Sequence, residues 1–260
     1  LGNMWVFDLS SDVSSNWKVA FSSSSTPKPL FRACLTADCA TLQPITSRPE
    51  VIEYTGSENS HIVLFGTGSY RDAEDVSNKD VQTFYGILDN GTDGDLNRSS
   101  LQEQTIELEF TLSETGEHRV VSKNSVDYSS NSGWYIDFDS SNYEGERIVS
   151  DPIVRNGAVR FFTFTVDSGI CSRSGGESWY MHLNSLTGAR TDDASFDVNG
   201  DGKVDYLDLK MITSAGEEIE ASVSGFKAEG LVKTGNTATN GADSRLQALS
   251  SDESLVDRAL

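Results

Sequence analysis

Runs of five to nine β-branched and aromatic residues, each closed by Asp, Asn, Gly or Ser, recur along this chain, and helical periodicity is scarce. The backbone groups in such runs must be satisfied by neighbouring strands, so the pattern commits the chain to sheets. The expected strands are MWVFDL (4–9), HIVLFGTG (61–68), TFYGILD (83–89), TIELEFTL (105–112), HRVVS (118–122), GWYIDFD (133–139), AVRFFTFTV (158–166) and SWYMHLN (178–184). Helical tendency is confined to Val76–Val81, Tyr206–Ile212 and Arg245–Leu260.

Several runs share a template. Trp5-Val6-Phe7-Asp8, Phe84-Tyr85-Gly86-Ile87-Leu88-Asp89, Trp134-Tyr135-Ile136-Asp137-Phe138-Asp139 and Trp179-Tyr180-Met181-His182-Leu183-Asn184 all place aromatics first, apolar residues next and Asp or Asn last. Recurrence of this kind suits the blades of a β-propeller carrying loop insertions. A β-sandwich whose strands end in Asp is the competing architecture. At roughly 45–60 residues a blade, the chain would hold about four. Its first residues read as the middle of a strand, so it is expected to be a fragment or mature segment with further blades upstream. Residues 1–230 form the expected propeller body. No aromatic follows Phe226, and 231–260 reads as a polar flexible tail.

Charge narrows the functional classes. Forty Asp and Glu face 20 Lys and Arg, a net charge of −20. Such a surface repels phosphate backbones, which argues against nucleic acid and anionic membranes as partners. No stretch reaches the roughly 18 apolar residues that a membrane-spanning helix needs. Cys34 and Cys39 are close enough for a short-range disulfide in an oxidising compartment; three ordinary thiols, with Cys171, is the plainer alternative.

One motif is sharp. Residues 197–205 read Asp-Val-Asn-Gly-Asp-Gly-Lys-Val-Asp, the register of an EF-hand-type calcium loop. Oxygen ligands fall at Asp197, Asn199, Asp201 and Asp205, Gly202 makes the sharp turn, and Lys203 offers its carbonyl. Ca²⁺ takes about 6–8 hard oxygens, and alternate residues of a tight loop can point inward to supply them. Asp208 stands where a regular EF-hand has a bidentate Glu, an optional sixth ligand on a shorter arm. The flexible oxygen cage favours Ca²⁺ over Mg²⁺, with affinity expected roughly between 10⁻⁷ and 10⁻³ M. A second acidic turn, Asp89–Asp95, misses the register and reads as a solvated hairpin turn. His61, His118 and His182 lack ligand spacing, and Gly66-Thr67-Gly68 lacks the Lys-Ser/Thr of a phosphate loop. With no catalytic motif present, the chain is expected not to be an enzyme.

Taken in order, GNMWVFDL (2–9), LQPITSRPEV (42–51), VLFGTGSYRDAEDV (63–76), QTFYGILD (82–89), GWYIDFD…GERIVSDPIV (133–154), FFTFTVDSGICSRSGGESWYMHLNSLTGAR (161–190) and FDVNGDGKVD (196–205) resemble the C-terminal domain of the PilY/PilC family of type IV pilus-associated proteins. The resemblance implies an all-β, modified or partial β-propeller with an EF-hand-like calcium loop late in the domain. It also implies a surface or pilus-tip protein acting in pilus biogenesis, adhesion and twitching motility, whose calcium occupancy bears on the balance of extension and retraction. Its partners would be pilins or minor pilins, with a host or abiotic surface as a further partner. The Arg-Gly-Asp tripeptide of integrin ligands is absent, so no host receptor is implied. Two other readings compete. A quinoprotein-type propeller dehydrogenase would share the strand template but needs a vicinal cysteine pair, and Cys34 and Cys39 are separated. A dockerin-like interaction module would need a second calcium loop, which 206–260 does not contain.

Overall fold

A computed structural model describes residues 2–36, 38–113, 115–166, 176–229, 232–234 and 237–239. Two antiparallel four-stranded sheets form its body. The first joins Glu50–Glu53, His61–Gly66, Gln82–Asp89 and Gly133–Phe138, with Gln102–Gln104 added in parallel at its edge. The second joins Ile153–Arg155, Ala158–Val166, Gly176–Asn184 and Gly225–Glu229. Its far edge is extended by the hairpin Ile106–Leu112 and Gly116–Val121, which the chain contributes from within the first sheet. Each unit is a blade whose third and fourth strands are separated by a long insertion, 90–132 in one and 185–224 in the other. These insertions use up the residues that the expected four blades would need, so the described chain forms two.

The template runs become strands because both faces of each sheet are covered. Between the blades, Ile62, Leu64, Phe84, Trp134, Ile136 and Phe138 meet Val159, Phe161, Trp179, Met181 and Leu183. Phe84 and Phe161 stack with centroids 4.0 Å apart. On the outer face of the first blade, Val63, Phe65, Tyr85 and Ile87 pack against Phe21, Leu30 and Phe31 from the N-terminal segment. On the outer face of the second, Phe162 and Tyr180 pack against Phe196, Val198, Met211 and Val223 from the insertion. Strands buried on both sides lose the apolar–polar alternation and read as continuous apolar runs.

Differences from the expected elements follow the same logic. MWVFDL does not form one strand: Asn3–Met4 and Phe7–Asp8 pair separately, with Phe31–Arg32 and Lys18–Val19. The helical tendency near 76–81 becomes the single 3₁₀ turn Ala73–Val76, capped by Asp72 and Asp75. That at 206–212 becomes the 3₁₀ turn Tyr206–Leu209 followed by the strand Lys210–Ile212. The segment 245–260 lies outside the described residues, as does Cys171. Within the expected tail, Val232–Thr234 pairs with Thr237–Thr239. Cys34 and Cys39 form a disulfide, with Cα atoms 5.0 Å apart.

Candidate metal centre

The acidic loop sits on the outer face of the second blade, pinned by the residues on either side of its first Asp. Phe196 and Val198 are buried in the apolar cluster there, and Asp197 between them is turned toward the surface. Phe196 packs against Tyr180 and Phe226, with centroids 6.0 and 5.3 Å apart. A single residue of alternation thus sends the apolar side chains inward and the carboxylate outward.

Beyond that anchor the loop is held by its own side chains. Asp197 Oδ1 accepts from Gly200 N at 2.7 Å and Oδ2 from Gly202 N at 2.8 Å. Asn199 Oδ1 accepts from Asp201 N, and Asp201 Oδ1 from Lys203 N, both at 2.9 Å. Gly200 and Gly202 have φ of +76° and +84°, a backbone region that favours glycine. Asn199 and Asp201 thus each close an Asx turn two residues on, while Asp197 spans three and five residues to hold the loop's two glycine N–H groups. Asp205 caps the closing 3₁₀ turn by accepting from Leu207 N at 2.8 Å.

Asp208 plays a different part from the one its position suggested. It is 1% exposed, and its carboxylate closes the loop from beneath. Oδ1 accepts from Val198 N and Asn199 N, and Oδ2 from Asp205 N, so one side chain ties the entrance of the loop to its exit. The Asp-x-x-Asp spacing of 205 and 208 carried a capping signal in the sequence. The burial of Phe196 and Val198 carried none, because it depends on a sheet face assembled elsewhere.

The donor set of Asp197, Asn199, Asp201, Asp205 and the Lys203 carbonyl is all oxygen, the chemistry that suits a hard dication. These side chains are engaged by main-chain N–H groups. Among the described residues, no three His, Cys, Asp or Glu side chains converge as a metal-holding group. The second acidic turn is spent otherwise: Asp95 pairs with Lys28 and Arg32, and Asn90 and Asp89 accept from the turn's own N–H groups. The histidines are dispersed. His61 is exposed; His118 is buried against Phe110 with Nδ1 2.8 Å from Gly116 O; His182 is buried in the second blade. Thr67, in the would-be phosphate loop, is buried and bonds to Thr83.

The model of the PilY1 beta-propeller domain matches residues 1–123. The structure is similar to the crystal structure of the Pseudomonas aeruginosa PilY1 C-terminal domain, with a TM-score of 0.70 and 25% identity over 93% of this chain and 54% of that one. A type IV pilus biogenesis factor PilY1 homologue of Xylella fastidiosa is 32% identical over 190 residues, 72% of this chain. The chain belongs to the PilY1 family. A second Xylella PilY1 homologue is 29% identical over 247 residues, 94% of this chain. The chain spans only 13% and 18% of the lengths of these two relatives. Both are named as pilus biogenesis factors and neither as an enzyme. The fold that the PilY1 match carries is the propeller expected from the strand template.

Proposed function

We propose that this PilY1-type chain is a calcium-binding module of the type IV pilus system. Ca²⁺ would be held by Asp197, Asn199, Asp201, Asp205 and the Lys203 carbonyl, with Asp208 as a brace beneath them. The observation that carries the reading is that the loop's own side chains hold its main chain. Each acceptor side chain spends a lone pair on a main-chain N–H, which fixes its direction and leaves further oxygen lone pairs for a cation. Bound Ca²⁺ would offset the charges of Asp197, Asp201 and Asp205, and the loop they belong to would then favour one shape beside the second blade, where a pilin or minor pilin would meet it. Through that surface the module regulates the balance of pilus extension and retraction, and with it adhesion and twitching. Its place of action is the cell surface or the pilus, reached through the periplasm. No described helix is long and apolar enough to cross a membrane.

The test is calorimetric titration of chelator-stripped protein with Ca²⁺, alongside Asp201→Ala and Asp205→Ala. The expected outcome is saturable 1:1 binding that is lost in both variants while their far-UV spectra are unchanged. Binding of equal affinity in the variants, or none in the parent up to several millimolar, would overturn the metal assignment.

A further inference from the structure

A cleft opens where the disulfide loop meets the segment that leads into the strand Gln82–Asp89. Its volume is about 210 Å³. Pockets that hold a drug-sized ligand run to about 300–1,000 Å³, so this one has room for a single long side chain. Leu35, Leu42, Pro44 and Val81 supply its apolar wall. Leu35 and Leu42 are exposed at the rim, in a segment held by the Cys34–Cys39 disulfide and by the β-bridge between Cys34 and Leu42. The Gln43 amide donates to Val81 O at 2.9 Å and to Thr83 Oγ1 at 2.8 Å, which fastens this wall to the first blade. The cleft is therefore preformed.

Its other side is polar, and the charges there do not cancel. Asp75 and Asp80 both line the cleft, and among the described residues neither forms an ion pair. The Asp75 carboxylate accepts from the N–H groups of Arg71 and Asp72 and from the Ser69 hydroxyl. These bonds hold its pKa below the ordinary aspartate value. Asp80 is exposed and accepts from the Asn78 amide at 2.9 Å. Arg147 lines the cleft as well, but its donors go to the carbonyls of Gly145, Ser69, Asp75 and Asn78. One guanidinium among two carboxylates leaves one negative charge uncompensated. Gln82, 5% exposed, adds an enclosed Oε1 that makes no hydrogen bond. That oxygen needs no contact to act, since its unopposed dipole adds to the negative potential of the cleft.

An apolar wall facing net negative charge suits a group with an apolar stem and a cationic tip. We propose that the cleft binds a lysine side chain of a partner protein, with its methylenes against the apolar wall and its ammonium toward Asp80 and Asp75. An ammonium is a compact point charge, whereas an arginine fork wants both oxygens of one carboxylate. Asp75 Oδ2 and Asp80 Oδ2 already accept other hydrogen bonds, which favours lysine. The net charge of −20 draws a cationic partner in from a distance.

The experiment uses the full chain with ¹³C-labelled leucine and valine methyl groups, in EDTA so that no metal occupies the acidic loop. Nα-acetyl-lysine N-methylamide is titrated at constant ionic strength against its norleucine analogue, which keeps the stem and loses the charge. The arginine analogue is run as a separate arm. Saturable shifts of the Leu35, Leu42 and Val81 methyl resonances with the lysine probe are expected, and weaker binding of the norleucine analogue. Asp80→Asn, an isosteric change at an exposed position, should weaken the lysine probe about threefold. Leu42→Ser should weaken both probes. Equal binding of lysine and norleucine, or of lysine to the parent and Asp80→Asn, would overturn the cationic class of ligand. Saturation by the arginine analogue at lower concentration would overturn the choice of lysine. Methyl shifts that rise without saturating would overturn the site itself.

Discussion

Asp208 shows how far a residue's environment can change its role. A carboxylate that accepts three main-chain N–H groups in a buried position cannot be removed without leaving those donors unpaired, at about 1–3 kcal/mol for a buried unsatisfied group. Asp208→Ala is therefore expected to lower the melting temperature in EDTA, where Asp201→Ala, on the exposed rim, should leave it nearly unchanged. Equal melting temperatures for the two variants would contradict the brace. In the sequence Asp208 was visible as an acidic residue at the twelfth position of a loop, and the spacing of Asp197, Asn199, Asp201 and Asp205 was fully legible there. That the carboxylate turns inward was not, because this depends on Val198 being pulled into the cluster beneath it. Trp134 makes a similar point in the core. It lies between Gly86 and Gly188, where an added Cβ would come within 2.4 and 2.1 Å of the indole. Gly86→Ala should destabilise by about 1–3 kcal/mol through overpacking, measurable as a shift in the urea midpoint.

Among the elements, the hairpin Ile106–Leu112 and Gly116–Val121 ties one blade's insertion to the other blade's sheet. It leaves the first blade's insertion, extends the second blade's sheet, and carries Arg119 into the interior. The Arg119 guanidinium meets both oxygens of Glu146 at 2.6 and 2.8 Å, reaches Glu109, and lies 3.8 Å from the Trp179 ring centroid. Burial opposes its charge, but Glu146 and Glu109 outweigh that and raise its pKa above the ordinary arginine value. Removing one partner of such a pair strands the other, so Glu146→Gln and Arg119→Met should each cost about 3–5 kcal/mol. The double variant Arg119→Met/Glu146→Gln should lose less than the sum, and a double-mutant cycle on urea midpoints measures the coupling. Strictly additive losses would show that the pair does not act as a unit. The strands of this hairpin were legible in TIELEFTL and HRVVS. Their placement in the other blade's sheet was not, since period-two patterning fixes a strand's faces and leaves its neighbour open.

Across the whole molecule, stability is tied to pH through groups that burial and bonding have displaced. His182 has its pKa lowered from 6.5 to about 4 in the fold, so between those values the unfolded chain binds the extra proton. Stability from the neutral ring is complete above about pH 6.5 and is lost as pH falls toward 4, a change of about 3 kcal/mol. Asp75, held low by the Arg71 and Asp72 N–H groups, and Asp95, held low by the Lys28 hydrogen bond and Arg32, extend the loss below the ordinary aspartate range. Urea midpoints measured in acetate-free buffer should therefore fall from pH 6.5 to 4.5, and His182→Gln should flatten that slope. An unchanged slope would remove His182 as its source. The sequence by itself determined that the chain is all-β, that its aromatic runs are strands ended by Asp or Asn, and that residues 197–205 form an acidic oxygen-rich loop. These are local facts, set by side-chain period, turn chemistry and spacing. Tertiary structure alone decided that the described residues form two blades, that the hairpin of the first blade's insertion joins the second blade's sheet, and that Asp208 faces inward. Each of these depends on which surfaces pack together, and packing partners far apart in the chain leave no periodic mark on either segment.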